Sequence, residues 1–134
     1  SPSEPAMLTR LAIASSPGIP DGNGGGAMAA IDENEETYWD ETNDQEAYSL
    51  KLTLPFTKMI NTLTIKGWQH QKFAPKDFLV SIDGQLVKKV QNAQYENNFL
   101  EIQFDSQEGK EIQLNITGYY GSSPAIRELK IFHQ

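Results

Sequence analysis

YSLKLTL, Tyr48 to Leu54, decides the fold class. Tyr48, Leu50, Leu52 and Leu54 share one face with polar residues between them, the period of two that marks a half-buried strand. FLVSI repeats the alternation with Phe78, Val80 and Ile82, and Asp83-Gly84 then offers a tight hairpin turn. LTRLAIAS, MINTLTIKG, QLVKKVQ, NFLEIQF, KEIQLNIT and RELKIF read as further strands. Turn chemistry at Leu54-Pro55, Ala74-Pro75, Glu108-Gly109 and GYYGSSP separates them. No window of a dozen residues carries a 3.6-residue period, and GAMAAI makes one helical turn at most. The pattern predicts an all-β fold of eight short antiparallel strands with long polar loops, a β-sandwich or barrel.

The chain has 134 residues, enough for one domain with a real core and too few for two. Residues 1–6, with the start SPSEP, read as a linker, and 7–134 as a single β-sandwich module expected to be a monomer. No secretory signal peptide is recognised in that start. The net charge is −7, with only eleven Lys and Arg, scattered along the chain. Phosphate binding needs a clustered basic footprint, so nucleic acid is excluded as a partner, and docking on anionic lipid is disfavoured equally. No apolar run approaches the length that spans a membrane. Without cysteine there is no disulfide framework, thiolate metal site or cysteine nucleophile.

The longest stretch without strand character runs from about Ser15 to Ala47. Within it PGIPDGNGGG reads as a flexible loop. AIDENEETYW, residues 30–39, then places four carboxylates within five residues, and residues 32–46 hold eight with no Lys or Arg. Loops this long in compact domains are usually functional or held by something other than a core. Three readings stand side by side: a solvated acidic loop, a catalytic carboxylate pair, or a cradle for a hard cation. A catalytic pair needs two carboxylates at a fixed separation, one with a raised pKa, and a cleft that a small strand-only domain rarely offers. Calcium takes about six to eight oxygens, mixing carboxylates with carbonyls and hydroxyls. Asp32, Asn34 and Thr37, spaced two and three apart, are placed to supply such oxygens from one turn. The spacing is not that of an EF-hand.

AMAAIDENEETYWD, followed by YSLKLTL, LTIKGW, FLVSIDGQ and a closing AIRELKIF, resembles the discoidin, or coagulation factor V/VIII type C, domains. Within them it looks most like the bacterial family 32 carbohydrate-binding modules. The shared pattern is Ala-(Ile/Val)-Asp-Gly-Asn, then Thr-x-Trp, a Ser-x-Asp-Gly turn, and Arg-Glu-(Ile/Leu)-x-(Ile/Val)-Phe in the last strand. Here those elements fall at Ala30-Ile31-Asp32, Asn34, Thr37-Tyr38-Trp39, Ser81-Ile82-Asp83-Gly84 and Arg127 to Phe132. The resemblance implies an eight-stranded jelly-roll sandwich with its ends close together. It also implies a structural calcium ion (Ca2+) held by Asp32, a carbonyl near Asn34, the hydroxyl and carbonyl of Thr37, and Glu128. Such an ion would pin the long loop to the last strand and relieve the repulsion among its carboxylates. Glu33 stands where the family's turn usually has Gly; if position 33 lies at positive φ, Glu strains it by about 1 kcal/mol or more.

The resemblance further implies a glycan ligand on loops at one end of the sandwich. There an aromatic ring stacks on the sugar's C–H face and polar side chains read its hydroxyls. One expected wall is DETNDQE, after Trp39, with Asp40 and Asn43 as contacts; Asp40 takes the place of a His common in sugar-binding members. A second is GWQHQKFAP, with Trp68, His70 and Gln71. The third is GYYGSSP, with Tyr119 and Tyr120, which point to opposite faces if extended. Trp39 reads as core, Trp68 as either core or platform, and Phe73 as a cover for the sheet end.

Catalytic signals are missing: there is no nucleophile elbow, and GNGGG lacks the strand-to-helix setting of a phosphate cradle. NIT at Asn115 matches a glycosylation sequon but falls in an expected strand. The expectation is therefore a non-catalytic, weakly binding module of a larger secreted, periplasmic or cell-surface bacterial protein. Its partners would be a glycan and the catalytic domain of the same parent chain. The alternative is a structural or protein-interaction domain that packs on a parent enzyme without binding sugar. A small hydrolase using the acidic loop is the third reading.

Overall fold

The computed structural model describes residues 6–9, 11–21, 24–68 and 73–134. Among them the chain forms eight strands: β1 (Ala6–Met7), β2 (Ile13–Ser15), β3 (Trp39–Asp40), β4 (Tyr48–Gly67), β5 (Pro75–Ile82), β6 (Gln85–Val90), β7 (Phe99–Tyr119) and β8 (Ala125–His133). A 3-10 turn covers Ala27–Ala30, inside the segment GAMAAI. All pairings between strands are antiparallel. The hydrogen-bonded order is β1-β8-β4-β7-β5-β6, with β2 on β4 and β3 on β8. Ala6 faces His133 across β1 and β8, so the two ends of the described chain lie together.

Two long strands build both layers of the sandwich. The first half of β4 pairs with β2 and with the second half of β7; its second half pairs with β8 and with the first half of β7. The change of layer falls where their register breaks, between Thr53 and Lys58 and between Ile60 and Thr62. Leu54-Pro55 and Glu108-Gly109 therefore lie inside strands rather than in turns, which corrects the sequence expectation. Proline cannot donate to a ladder and is tolerated at a bulge. Pro55 lies in such a break, which ends where Lys58 pairs with Gly109, and residues 55–59 are all exposed. On β7, Gly109 fits because any Cβ there would lie 2.2 Å from Ile82 Cγ2.

LTRLAIAS is likewise divided. Leu8 donates its N–H to Ile131 O at the β8 edge, whereas Ile13–Ser15 pair with β4. Leu11, at φ 68, turns the corner between the layers. Asp83 and Gly84, at φ 48 and 83, make the expected hairpin turn. Apolar faces from both layers, including Leu50, Leu52, Phe78, Val80, Leu114, Leu63, Ile65, Leu129 and Ile131, form one core. Trp39 is fully buried in it.

Candidate functional site

The acidic segment is held in place by its own backbone geometry. After the 3-10 turn, Asp32 Oδ1 accepts from Asn34 N (3.0 Å), and Asn34 Oδ1 accepts from Glu36 N (3.0 Å). Thr37 N closes the turn on Asn34 O at 3.2 Å. Glu33 sits at φ 57, the left-handed region that its Gly-like position requires.

Oxygen atoms crowd inside this turn. The Thr37 hydroxyl has one hydrogen to donate, yet Asp32 Oδ2, Asn34 O (2.9 Å) and Ala29 O (3.5 Å) all lie within reach. Glu128, on β8, is buried with its Oε1 lacking any hydrogen-bond partner. Burial, and then the charge of Asp32, push its carboxyl up to about 7. Buried polar atoms are nearly always satisfied, so an orphaned carboxylate oxygen beside surplus acceptors marks a place short of positive charge. Among the described residues no three His, Cys, Asp or Glu side chains converge. The cradle instead combines two carboxylates with a hydroxyl and carbonyls, the mixture that suits a hard cation. Asp32, Asn34, Thr37 and Glu128 thus surround one spot.

The rest of the acidic segment has other partners. Glu35 pairs with Lys66, whose ammonium holds its carboxyl below the usual range. From Thr37 onward the chain alternates, sending Trp39 and Glu41 inward while Tyr38 and Asp40 stay partly exposed. Glu41 Oε2 accepts from Trp39 Nε1 at 3.1 Å and from the Ser16 hydroxyl. That bond helps dock the preceding loop, where Thr42 N donates to Ile19 O and Asp21 N to Asp40 O, each at 3.0 Å. Gly24 belongs to the same packing: a Cβ there would lie 2.4 Å from Asp40 Cβ.

Tyr38 and Asp40 line a pocket of about 190 Å³ together with Asp21, Asn43, Trp68, Phe73, Ser122 and Ser123. The Tyr38 and Trp68 rings stack with centroids 4.5 Å apart and planes at 23°, and Phe73 lies 5.5 Å beyond Trp68. Ser123 Oγ donates to Asp40 Oδ1 at 3.0 Å. Burial raises the Asp40 pKa; the Ser123 bond opposes that shift and the Asp21 charge adds to it. Burial, then the charges of Asp40 and Asp21, also raise the Tyr38 phenol. Aromatic wall and polar rim therefore share one concave surface.

All three expected walls contribute, though not always through the expected residues. Asp40, Asn43 and Trp68 line the pocket. His70 and Gln71 lie outside the described residues. Tyr119 packs edge-on against Tyr48, and Tyr120 donates its hydroxyl to Ala93 O at 2.9 Å, so the third wall is made by Ser122 and Ser123. Asp21 and Tyr38 were not singled out from sequence. Tyr38 had a signal, since it stands one step out of phase with the core residue Trp39; Asp21 had none.

The F5/8 type C domain model matches residues 12–129. No curated protein sequence matches the chain. Among solved structures, the family 32 CBM from Clostridium perfringens NanJ, in complex with galactose, is 20% identical with a TM-score of 0.83, over 97% of this chain and 100% of that one. CpGH89CBM32-5 from the same organism, in complex with GalNAc-β-1,3-galactose, is 22% identical with a TM-score of 0.79, over 96% and 100%. A putative alpha-L-fucosidase from Bacteroides thetaiotaomicron is 16% identical with a TM-score of 0.80, over 96% of this chain but 29% of its own length.

Proposed function

The chain belongs to the F5/8 type C domain family, and from that membership we propose that it is a non-catalytic carbohydrate-binding module. The observation that carries this reading is the stacked Tyr38–Trp68 pair, set in one pocket with Asp40, Asn43 and Ser122. A sugar presents an apolar C–H face and a rim of hydroxyls, and this surface offers a partner for each. Two structurally similar modules are in complex with galactose or GalNAc-β-1,3-galactose, which supports the same class of ligand. One shallow pocket is expected to bind at millimolar to tens of micromolar, about 4 to 7 kcal/mol. Tethering to a catalytic domain would then make weak binding useful. The likeness to part of a longer putative fucosidase supports a place in a larger glycan-active protein, for which we infer a site of action outside the cell or at its surface.

The oxygen cradle at Asp32 is assigned to a structural calcium ion. Asp32 and Glu128 would supply carboxylates, Thr37 its hydroxyl, and Asn34 and Ala29 their carbonyls. The ion would neutralise the turn and tie it to β8, with no part in chemistry.

A glycan screen followed by calorimetry tests the reading. Binding that is lost in Trp68→Ala supports it, and a folded protein that binds no glycan overturns it. That second result would favour a domain that packs on a parent enzyme, for which the exposed Leu11 (84%), Ile13 (65%) and Ile19 (69%) are the supporting observation.

A further inference from the structure

We propose that the oxygen cradle and the aromatic pocket are coupled: calcium bound at Asp32 and Glu128 raises the affinity of the Tyr38–Trp68 surface for glycan, and glycan raises the affinity for calcium. The proposal rests on both the calcium and the sugar-binding readings. Its basis is a short strap, residues 32–38, that meets the sheet at successive places. Asp32 and the Thr37 hydroxyl share the cradle with Glu128 of β8. Glu35 pairs with Lys66 of β4. Tyr38, directly after Thr37, stacks on Trp68. Lys66 faces Glu128 across the β4–β8 ladder, and Trp68 lies two residues beyond it. Glu35, Lys66 and Glu128 line one cleft of about 60 Å³. The contacts therefore lead along these two strands from the cradle to the pocket.

Each site needs the strap seated. The cradle is complete only when Asp32 and Thr37 stand beside Glu128, because β8 alone supplies one carboxylate. The stacking face is complete only when the Tyr38 ring lies on Trp68. Without a cation the carboxylates of Asp32 and Glu128 oppose seating, and the partly exposed Glu35–Lys66 pair offsets little of that. A ligand that binds only the seated form shifts the population toward it, and a second ligand then meets a larger competent fraction. By linkage the effect is reciprocal.

The test probes a glycan array in calcium and in chelator, then titrates the strongest ligand by calorimetry under both conditions. Calcium is expected to tighten glycan binding about fivefold or more, the lower end of ordinary couplings. Glycan at saturation should tighten calcium binding by the same factor. Glu35→Gln should bind glycan more weakly than the parent in chelator and match it in saturating calcium. Glu111→Gln, which removes the exposed Lys51–Glu111 pair away from the strap, should match the parent in both. Equal glycan affinity in calcium and chelator, with a melt that still responds to calcium, overturns the coupling and leaves both readings intact. So does a Glu35→Gln protein whose glycan binding depends on calcium no more than the parent's. No array signal in either condition overturns the coupling together with the sugar-binding reading. A protein that binds glycan but no calcium overturns it together with the calcium reading.

Discussion

The ring of Tyr38 lies 4.5 Å from that of Trp68 and within 23° of parallel, so the acidic segment and the end of β4 meet in one aromatic surface. Tyr38 comes from a loop that the sheet does not order, and Trp68 follows the last residue of a twenty-residue strand. Trp68→Ala is therefore expected to weaken glycan binding at least about tenfold, since loss of a stacking ring costs on the order of 1 kcal/mol beyond its buried area. Trp68 is only half-buried, so the melting temperature should fall modestly. Calorimetry and a thermal melt on the same sample separate the two effects. A variant that binds as tightly as the parent would remove the pocket from consideration.

Calcium is expected to raise the melting temperature. A ligand that binds only the folded state contributes about 2.7 kcal/mol at a hundredfold excess over Kd, which for a domain of this size is several degrees or more. Chelator should reverse the gain. Asp32→Asn should remove the calcium-dependent increment, and Thr37→Val should reduce it. A melt indifferent to both calcium and chelator sinks the assignment.

The calcium-free protein should show the opposite of ordinary acid denaturation over one interval. Glu128 is raised from 4.5 to about 7, chiefly by burial and then by Asp32. The folded state thus holds the Glu128 proton more tightly than the unfolded chain does. Its contribution to stability is fully present below about 4.5 and is lost as pH rises through about 7. In the presence of chelator, Tm is expected to decline across that interval more steeply for the parent than for Glu128→Gln. Parallel profiles for the two proteins would show that Glu128 keeps an ordinary pKa.

Glu33 offers a test of backbone strain alone. Its φ of 57 costs a non-glycine residue about 1–2 kcal/mol. Glycine relieves that cost but adds roughly 0.5–1 kcal/mol of unfolded-state entropy. Glu33→Gly should therefore stabilise the protein by up to about 1 kcal/mol, read as a higher denaturant midpoint at unchanged m-value. A lower midpoint would mean that the Glu33 side chain contributes more than its conformation costs.

Much of this arrangement is legible in the sequence because it follows from local periodicity. The alternation of Tyr48, Leu50, Leu52 and Leu54 gives the strand and its buried face, and Asp83-Gly84 gives the hairpin. Asp32, Asn34 and Thr37 fall close together in sequence, so their convergence is also readable. The joining of MINTLTIKG to YSLKLTL through Pro55 is not. A Leu-Pro dipeptide carries the same local signal in a turn and in a bulge, and only cross-strand pairing with β7 distinguishes them. Asp21, Ser122 and Ser123 were missed for a related reason: they reach the pocket from separate loops, and nothing local marks which loop tips meet.

Gly109 shows how such a long-range constraint can be measured. Its φ is not among the positive values, so conformational freedom does not explain it. The constraint is contact: an added Cβ would lie 2.2 Å from Ile82 Cγ2 and 3.2 Å from Asp83 Oδ2. Ile82 is fully buried and cannot retreat without displacing core neighbours. Gly109→Ala is expected to cost about 1–3 kcal/mol, the usual range for overpacking. In an Ile82→Ala background the clashing methyl is gone, so the same substitution should cost much less, a coupling that a double-mutant cycle in denaturant would detect. Additive costs would show instead that Gly109 is needed for its backbone, as a turn at Glu108-Gly109 would require.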